Sequence, residues 1–438
     1  MNVENLQCAD ASLETIHCQQ SDGDSGDWMK VGLTESTLAE VCSLVTDGTH
    51  DTPKRVETGY PLVKAKEISG GRIDFDNCDQ ISEQEHLKVI ARSKPEFGDT
   101  LFAHIGASLG EAAFVNTTRE FSIKNVALFK PNPSVIDARY LYYLVVSPAF
   151  QSLAKGTRTG SAQPFLGLSQ LRGHQIQYHR DLAHQRRISG ILSAYDDLIE
   201  NRQRRIRILE EMARSLYREW FVHFRFPGHE NHPLVPSSLG VIPQGWEVKK
   251  LGDIAESMRR NVSKGKLEER TPYVGLEHIP RQSLALDAWE MATALGSNKL
   301  EFKKGEVLFG KIRPYFHKVS VAPFVGLCSA DTIVIRALRP EHYGIVVACV
   351  SSDEFVAVAS ATANGAKMPR ANWNVLEKYQ VVIPKGNLAE KFSALFADII
   401  AQQQTLIFKI QNLRQTRDLL LPRLLSGEVK LKETDEPL

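Results

Sequence analysis

Residues 182 to 221 read LAHQRRISGILSAYDDLIENRQRRIRILEEMARSLYREWF, and the apolar side chains of this stretch decide the fold. They recur in alternating steps of four and three residues, with Arg202 in the one remaining position. This heptad pattern predicts one long helix packed against a partner helix. The predicted core positions are Ile188, Leu192, Tyr195, Ile199, Ile206, Leu209, Ala213, Leu216 and Trp220.

A second stretch with the same pattern closes the chain. Each of its heptad positions lies 204 residues after one in the first stretch, with Gln403 and Arg417 at the two positions that are not apolar. A single apolar stripe does not stabilise a helix in water, so each helix is the expected partner of the other. One such stripe alone would also fit an ordinary core helix. The predicted core positions of the second helix are Phe392, Phe396, Ile399, Leu406, Ile410, Leu413, Leu420 and Leu424.

The two helices are predicted to run antiparallel. The second globular segment begins at Trp246, soon after the first helix ends, and leads directly into the second helix. A parallel pair would require the chain to return about 60 Å, the length of a 40-residue helix. The expected register pairs Ile206 with Leu406, Ile199 with Leu413, and Tyr195 with Arg417, while Arg202 faces Ile410 and turns its charge outward.

The globular segments that precede the two helices also repeat each other. EFGDTLFAHI at 96–105 aligns with KKGEVLFGKI at 303–312, an offset of 207 residues. GSAQPFLGLSQL at 160–171 aligns with GAKMPRANWNVL at 365–376, an offset of 205 residues that keeps one glycine and one proline. Retained glycine and proline imply that the same loop geometry is needed twice. The chain is therefore predicted to be a tandem duplication with a common frame and two diverged surfaces.

The predicted fold class is α+β: two tandem pseudo-symmetric α/β domains, separated by two long helices that form an antiparallel coiled coil. Short strands are expected at 60–63, 100–105 and 126–129, a helix at 140–153, and an N-cap at Asp181. The predicted segments are a flexible polar tail (1–30), a first domain (31–180), a long helix (181–226), a Pro/Ser linker (227–245), a second domain (246–386), a second long helix (387–426) and a C-terminal tail (427–438).

Composition indicates an ordinary cytoplasmic globular protein. No apolar run reaches the length of a membrane span, and no signal peptide is visible. The six cysteines are scattered without a CxxC pair, which favours reduced thiols. The formal net charge of +1 argues against a strongly basic nucleic-acid binder but permits local basic patches.

No catalytic or metal-binding constellation is visible in the sequence. PNPS at 131–134 lacks the second proline and the aromatic residue of a methyltransferase motif, and no P-loop pattern occurs. His174, His179 and His184 are spaced five residues apart and do not share a helical face, and His229 and His232 fall in the linker. Neither group fits a metal site.

The remaining chemistry is binding chemistry. Loops rich in Arg, Lys, Asn, Gln and Ser carry the side chains that read base edges and contact phosphates. For each single residue, the plainer interpretation is a solvated surface side chain. The candidate DNA-binding residues are Thr49, His50, Lys54, Arg55, Lys66, His104, Arg158, Ser161, Gln163, Arg259, Arg260, Lys311, Arg313, Tyr315, Lys318, Lys367, Arg370 and Asn372.

Nearly the whole chain after residue 30 resembles the specificity subunit of type I restriction-modification enzymes. The resemblance is carried by LYREWFVHFRFPG (216–228), SSLGVIPQGWEVKKLGDI (237–254), LLPRLLSGEV (420–429), DGTHDTP (47–53) and the duplicated domain-plus-helix order. It implies two target recognition domains, each of which reads one half of a bipartite double-stranded DNA sequence. Because those domains vary within the family, no individual base contact is carried over.

The resemblance also implies partners that supply the chemistry. Two methyltransferase (modification) subunits would bind S-adenosylmethionine and methylate adenine. Where a nuclease partner exists, two restriction (translocase) subunits would use ATP and Mg²⁺. The chain itself is expected to bind no cofactor, and specificity subunits carry no catalytic residues. The alternatives are a stand-alone, sequence-specific DNA-binding regulator with a coiled-coil spacer, and a scaffold that does not touch nucleic acid.

Overall fold

The computed structural model describes residues 32–157, 165–365, 367–429 and 431. The chain divides into two compact units, one of Met1–Gly190 with Leu421–Leu438 and the other of Ile191–Leu420. Each unit combines short strands and helices with parts of the two long helices. The predicted mixed α and β class with two long helices is therefore confirmed.

The described part of the first unit consists of short strands and short helices, followed by the start of a long helix. Its strands are β1 (Leu33–Thr37), β2 (Cys42–Asp47), β3 (Arg55–Val56), β4 (Tyr60–Lys64), β5 (Ile68–Ser69), β6 (Arg72–Ile73), β7 (Asp79–Ile81), β8 (Thr100–Phe102), β9 (Ala112–Phe114), β10 (Ser122–Lys124), β11 (Ala127–Pro131) and β12 (Gln175–His179). Its helices are α1 (Leu38–Val41), α2 (Glu83–Ser93), α3 (Ala138–Val146), α4 (Pro148–Thr157), α5 (Leu168–Arg172) and the beginning of α6 (Leu182–Tyr217).

The second unit contains the rest of α6 and most of the second long helix. Its strands are β13 (Leu234–Ser237), β14 (Gly240–Pro243), β15 (Glu247–Lys250), β16 (Ala255–Met258), β17 (Arg260–Val262), β18 (Gly265–Val274), β19 (Glu290–Leu295), β20 (Lys299–Phe302), β21 (Val307–Gly310), β22 (Val319–Val321), β23 (Gly326–Ser329), β24 (Thr332–Ala337) and β25 (Gln380–Ile383). Its helices are α7 (Tyr343–Val350), α8 (Asp353–Ala361), α9 (Trp373–Leu376) and α10 (Leu388–Leu425).

One antiparallel four-stranded sheet occurs in both units with the same strand order. It runs β2-β11-β8-β9 in the first unit and β16-β24-β21-β22 in the second. A two-stranded sheet is also repeated, as β1-β12 and β15-β25. The remaining larger sheet differs, with four strands (β10-β4-β7-β3) in the first unit and five (β17-β20-β23-β18-β19) in the second. The duplication thus preserves one frame, and the divergence lies in the other sheet.

The tight turn before β8 shows how closely the frame is repeated. In the first unit, the Asp99 carboxylate accepts a hydrogen bond of 2.7 Å from the Glu96 amide. In the second unit, the Glu306 carboxylate accepts one of 2.8 Å from the Lys303 amide. Both acidic side chains are buried. Lys130 neutralises Asp99, at 2.6 Å, and Arg260 neutralises Glu306, so the cation comes from a different strand in each unit.

The predicted helix at 140–153 is wrong as a single element. It consists of α3 and α4, which are separated at Ser147. Pro148 begins the second helix, where its missing N–H and fixed φ are tolerated, and Ser147 has an extended backbone (ψ 150°). The prediction of Asp181 as N-cap is right, because its carboxylate accepts hydrogen bonds of 3.1 Å from the amides of Ala183 and His184.

Within the second unit, α6 and α10 pack antiparallel, as predicted. Near one end of the pair, the Phe392 ring lies 4.7 Å from that of Phe221. Toward the other end, the Arg417 guanidinium lies 2.6 Å from the Asp196 carboxylate. The register is therefore close to the predicted one, with Arg417 bonded to Asp196, the residue that follows its predicted partner Tyr195.

The helix pair also packs against the domain that α10 follows. Ile199, Ile206, Ile407 and Ile410 form one buried cluster with Ala285. Ile407 is not among the predicted heptad positions, because its partners include domain residues as well as the facing helix. Among the predicted core positions, the buried ones are Ile188, Leu192, Ile199, Ile206, Ala213, Trp220, Phe392, Phe396, Ile399, Ile410 and Leu424. The partly buried ones are Tyr195, Leu209, Leu216, Leu406, Leu413 and Leu420. Of the two polar heptad positions of α10, Gln403 is buried and Arg417 is partly buried.

Two features of the region after α6 differ from the predicted helix and linker. The α-helix ends at Tyr217 and continues as one π-helical turn, Arg218–Val222, which stops before Pro227 is reached. The predicted linker is partly structured, because β13 and β14 form an antiparallel hairpin there. Gly240, with φ 97°, lies at the turn of this hairpin, within the segment predicted as a Pro/Ser linker.

Glu210 has a structural role in the helix pair. An acidic side chain on a helix usually faces solvent, but Glu210 is only 5% exposed. Its carboxylate accepts hydrogen bonds from the Ser283 hydroxyl at 2.5 Å and from the Leu284 amide at 2.8 Å. It therefore fixes the 282–285 segment against α6.

No single helix in the described part of the chain is both long and apolar enough to cross a membrane. One bent pair, Pro340–Val350 and Asp353–Ala361, meets the length and composition test when taken together, across a bend of 65°.

Candidate nucleic-acid interface

The turn that follows the third strand of the repeated sheet has positive φ at the same two positions in both units. In the first unit it has positive φ at Gly106 (79°) and Gly110 (98°). In the second unit, 207 positions later, it has positive φ at Arg313 (49°) and His317 (52°). Glycine adopts this left-handed region freely, whereas other residues are strained there by about 1–3 kcal/mol. The second unit thus keeps the left-handed positions of the turn without the glycines that adopt them freely.

A second loop docks beside this turn in both units. The Leu166 amide donates a hydrogen bond of 2.9 Å to the His104 carbonyl, and the Ala371 amide donates one of 2.9 Å to the Lys311 carbonyl. Leu166 and Ala371 belong to the repeated Gly-Pro segments, so the two aligned motifs meet within each unit. The predicted candidates at 311–318 and 367–372 are thereby brought to one surface.

The strained residues of the second turn differ in what their side chains do. The His317 imidazole lies 2.9 Å from the Ser351 carbonyl and 3.3 Å from the Asp353 carboxylate. These contacts offset its backbone strain. The Arg313 backbone amide binds the Pro369 carbonyl at 2.8 Å. Across the described residues, however, its guanidinium forms no ion pair, hydrogen bond or ring contact.

Tyr315 and Arg370 lie at this surface, as expected for contact residues. The Tyr315 side chain is 55% exposed, at the tip of the turn. The Arg370 guanidinium lies 3.5 Å from the Asp331 carboxylate and remains half exposed. Lys367 is exposed, and Lys311 is partly exposed. Together with Arg313, these residues lie on the turn and on the loop docked against it, and we call this set the basic turn surface.

Other candidates in the second unit have structural partners. Arg260 binds the buried Glu306 and is only 21% exposed, which explains its position better than DNA contact does. Lys318 donates to the Leu276 carbonyl, and burial lowers the pKa of its ammonium. Asn372 caps α9 by accepting a 3.1 Å bond from the Asn374 amide. Arg259, next to Arg260, is exposed.

In the first unit, the 47–55 loop is held in place by the buried Asp47. The Asp47 carboxylate binds the Arg92 guanidinium and lies 2.9 Å from His50 Nε2. The other imidazole nitrogen of His50 lies 2.8 Å from the Asn125 side-chain oxygen. Thr49 is fixed through its backbone, since its amide donates to the Ile123 carbonyl at 3.0 Å. The loop therefore presents its exposed side chains from a rigid base.

Three further cations of the first unit lie near acidic groups or in solvent. Arg55 is 72% exposed and lies 3.1 Å from Asp79, and Lys66 is 69% exposed and lies 3.1 Å from Glu67. Lys54 is exposed. All three are accessible to a ligand, although two of them would exchange an existing partner.

His104 is misplaced among the predicted contact residues, because it is buried. It is only 1% exposed, and its Nδ1 lies 2.8 Å from the Leu166 carbonyl. Its Nε2 has no hydrogen-bond partner among the described residues. Burial lowers the pKa of this imidazole, so it is a neutral core group that secures the docked loop. Arg158, Ser161 and Gln163 lie outside the described residues.

Sequence reasoning missed three residues that shape these surfaces. The Lys124 ammonium binds the Asp51 carbonyl at 2.7 Å, and Asn125 has a left-handed backbone with φ 52°. The Arg281 guanidinium lies 4.2 Å from the centre of the Phe316 ring and so buttresses the turn in the second unit. Nothing in their local sequence distinguishes them, since each acts on a segment that is remote in the chain.

The described residues include no group of three or more His, Cys, Asp or Glu that could hold a metal ion. His179 and His184 do lie close, with ring centres 4.4 Å apart, because His179 ends β12 and His184 begins α6. A cavity of about 300 Å³ in the second unit is lined by Glu210, Arg214 and His317 among others. Glu210 and His317 already bind protein groups, so the cavity offers no convergent catalytic set.

Comparison with known proteins gives one consistent group of relatives. No family model matches the chain. It is 26% identical over 406 residues to the type I restriction enzyme MjaIX specificity subunit of Methanocaldococcus jannaschii, covering 85% of this chain and 90% of that protein. It is 22% identical to the HindI specificity subunit of Haemophilus influenzae, covering 81% of this chain and 91% of that protein.

A solved structure extends the similarity to the fold. The type I restriction-modification S subunit from M. genitalium matches 90% of this chain and 96% of its own, with a TM-score of 0.54 and 15% identity. At this identity the match shows the fold alone. The resemblance found in the sequence is confirmed by these relatives, which favour it over a stand-alone regulator.

Proposed function

We infer that the chain is a member of the type I restriction enzyme specificity subunits, and we propose that it directs methylation and restriction to a bipartite DNA target. Each unit would read one half of that target through the surface made by its strand-end turn and docked loop. Catalysis would come from partner subunits. The chain would itself hold neither S-adenosylmethionine nor ATP.

The observation that carries this proposal is the repetition of one turn with different tips. The same left-handed positions and the same docked loop occur in both units, while the tip reads Gly-Ala-Ser at 106–108 and Arg-Pro-Tyr at 313–315. A conserved frame with changed side chains is what two readers of different sequences require. The arginine at the second tip suits base edges and phosphates.

Partner subunits explain how a nearly neutral chain could act on DNA. A net charge of +1 provides little of the phosphate neutralisation that specific binding needs. Two modification subunits closing around the duplex would supply the rest. Two restriction subunits would join where the host encodes them.

The test is methylation mapping in a host that carries this chain and its modification subunit. The two chains should co-purify, and methylated adenine should appear at a bipartite sequence only when both are present. Exchange of residues 31–180 for those of a relative should then change one half-site and leave the other intact. DNA binding without a modification partner would support the stand-alone regulator instead, and the absence of any DNA interaction would support a scaffold.

A further inference from the structure

We propose that Arg313 is the base-reading residue of the second unit, and that the strained turn at 313–317 exists to hold its guanidinium toward the DNA. The inference rests on the proposed function. It adds which side chain discriminates a base and how the fold presents it.

The first step is the comparison of equivalent positions. Gly106 and Arg313 are 207 residues apart and both have positive φ, 79° and 49°. Glycine is the default residue in this conformation because it has no Cβ. An arginine at such a position persists only where its side chain gains something that glycine cannot provide.

The second step is that the gain does not come from within the described part of the protein. His317, at the other left-handed position, is bonded to the Ser351 carbonyl at 2.9 Å. The Arg313 side chain has no such contact there, although Asp331 lies close enough to pair with the neighbouring Arg370 at 3.5 Å. The strain at Arg313 therefore points to a partner beyond the described residues, and under the proposed function that partner is the DNA.

The third step is that the turn is rigid. Pro314 is buried, and the Phe316 amide donates to the Arg313 carbonyl at 2.9 Å. The His317 carbonyl accepts from the Gln282 amide at 2.8 Å, and Arg281 stacks on Phe316. A fixed backbone lowers the conformational entropy lost when the guanidinium binds, and it sets the angle of approach.

The fourth step separates base reading from phosphate contact. A phosphate requires only positive charge near the backbone, and the exposed Lys367 and Arg370 supply this from ordinary surface positions. A base edge requires a planar fork at a defined position, such as the bidentate contact of arginine with guanine O6 and N7. A strained, rigid position that carries arginine suits the second task.

The experiment compares Arg313→Gly, Arg313→Lys and the control Arg339→Gly in the complex with the modification subunit. Arg339 is a 72% exposed arginine of the same unit with an ordinary extended backbone (φ −136°). The readouts are the map of methylated sequences, the affinity for the wild-type site at several salt concentrations, and the urea midpoint of the chain.

Arg313→Gly should relax one base position in one half-site, with discrimination reduced about 5- to 150-fold. Its urea midpoint should equal or exceed that of the wild type, because glycine relieves the backbone strain. Arg313→Lys should keep the salt dependence but lose discrimination at the same position. Arg339→Gly should leave the methylated sequence unchanged.

An unchanged methylated sequence in Arg313→Gly would overturn the proposal. Wild-type discrimination at that base position in Arg313→Lys would also overturn it, because a positive charge without the guanidinium fork would then be enough to select the base. If the wild-type complex methylated no bipartite site, the proposed function would fail and this inference with it. If instead the wild-type complex methylates a bipartite site and Arg313→Gly methylates the same sequence, only the inference about Arg313 fails and the proposed function stands.

Discussion

Ser189 on α6 and Ser393 on α10 are 204 positions apart. Each serine binds its long helix to the segment at the start of a short helix, α3 in the first unit and α7 in the second. The Ser189 hydroxyl lies 3.0 Å from the Asp137 carboxylate, just before α3. The Ser393 hydroxyl donates a bond of 2.7 Å to the Glu341 carbonyl and accepts one of 3.1 Å from the Gly344 amide, at the start of α7. The helices are therefore repeated together with their attachment to the domains.

Replacement of the two serines should have unequal effects. Ser393→Ala leaves the buried Gly344 amide and the partly buried Glu341 carbonyl without their partner, so we expect a loss of about 1–3 kcal/mol in the free energy of unfolding. Ser189→Ala should cost about 0.5–1.5 kcal/mol, because Asp137 keeps its 2.9 Å bond to the Tyr140 amide. Urea denaturation of the two matched variants measures the difference. Equal losses would mean that Ser393 does not satisfy the two backbone groups.

This pair also shows what the sequence could predict. The 204-residue offset of the heptad positions predicted both helices, their pairing and their direction. It did not predict the serine contacts, because serine at a helix surface usually faces solvent. It also missed the burial of Glu210 and Ile407, whose partners lie in a domain segment remote in sequence. Hydrophobic periodicity shows which face of a helix is apolar, but it does not show which domain segments pack against the other faces of that helix.

The ion pair of Asp196 and Arg417 tests the antiparallel register. Both side chains are less than one third exposed, and the Arg417 guanidinium lies 2.6 Å from the Asp196 carboxylate. Asp196→Arg and Arg417→Asp should each destabilise the chain by placing like charges together. The double exchange should recover about 0.5–1 kcal/mol relative to the sum of the single changes. A double-mutant cycle in urea with no coupling energy would contradict this register.

A comparison of the neighbouring residues Arg259 and Arg260 tests whether Arg260 has a structural role rather than a DNA-binding role. Arg260→Met leaves the buried Glu306 carboxylate without its cation, so we expect a loss of about 1.5–3 kcal/mol in the free energy of unfolding. Arg259→Met, the exposed control, should change stability by less than about 0.5 kcal/mol. The methylated sequence should be unaltered in folded Arg260→Met protein. A changed target at normal stability would return Arg260 to the DNA-binding residues.

The same contrast explains why the candidate site was only partly predictable. Composition of the loops selected Arg313, Tyr315, Lys367 and Arg370, which the structure brings to one surface. It also selected His104, Arg260 and Lys318, whose polar atoms face protein groups instead. Residue type alone cannot distinguish the two sets, because an arginine that neutralises a buried glutamate and one that faces solvent are equally polar.

The buried imidazole of His104 should make stability fall on acidification. Its pKa is lowered by burial in the folded state, whereas in the unfolded chain it returns to about 6.5. Between the folded pKa and about 6.5, the unfolded state binds more protons, so stability rises with pH there and is lost as pH falls. Other buried histidines, including His86 and His179, should add to the same slope.

His104→Asn isolates the contribution of this imidazole, because the asparagine amide can still donate to the Leu166 carbonyl. At pH 8 both proteins are neutral at this position, so their difference in urea midpoint reports packing alone. From pH 7 to pH 5 the variant should lose less stability than the wild type. Parallel pH profiles for the two proteins would show that His104 is not held neutral by the fold, and would restore it as a group that a ligand could reach.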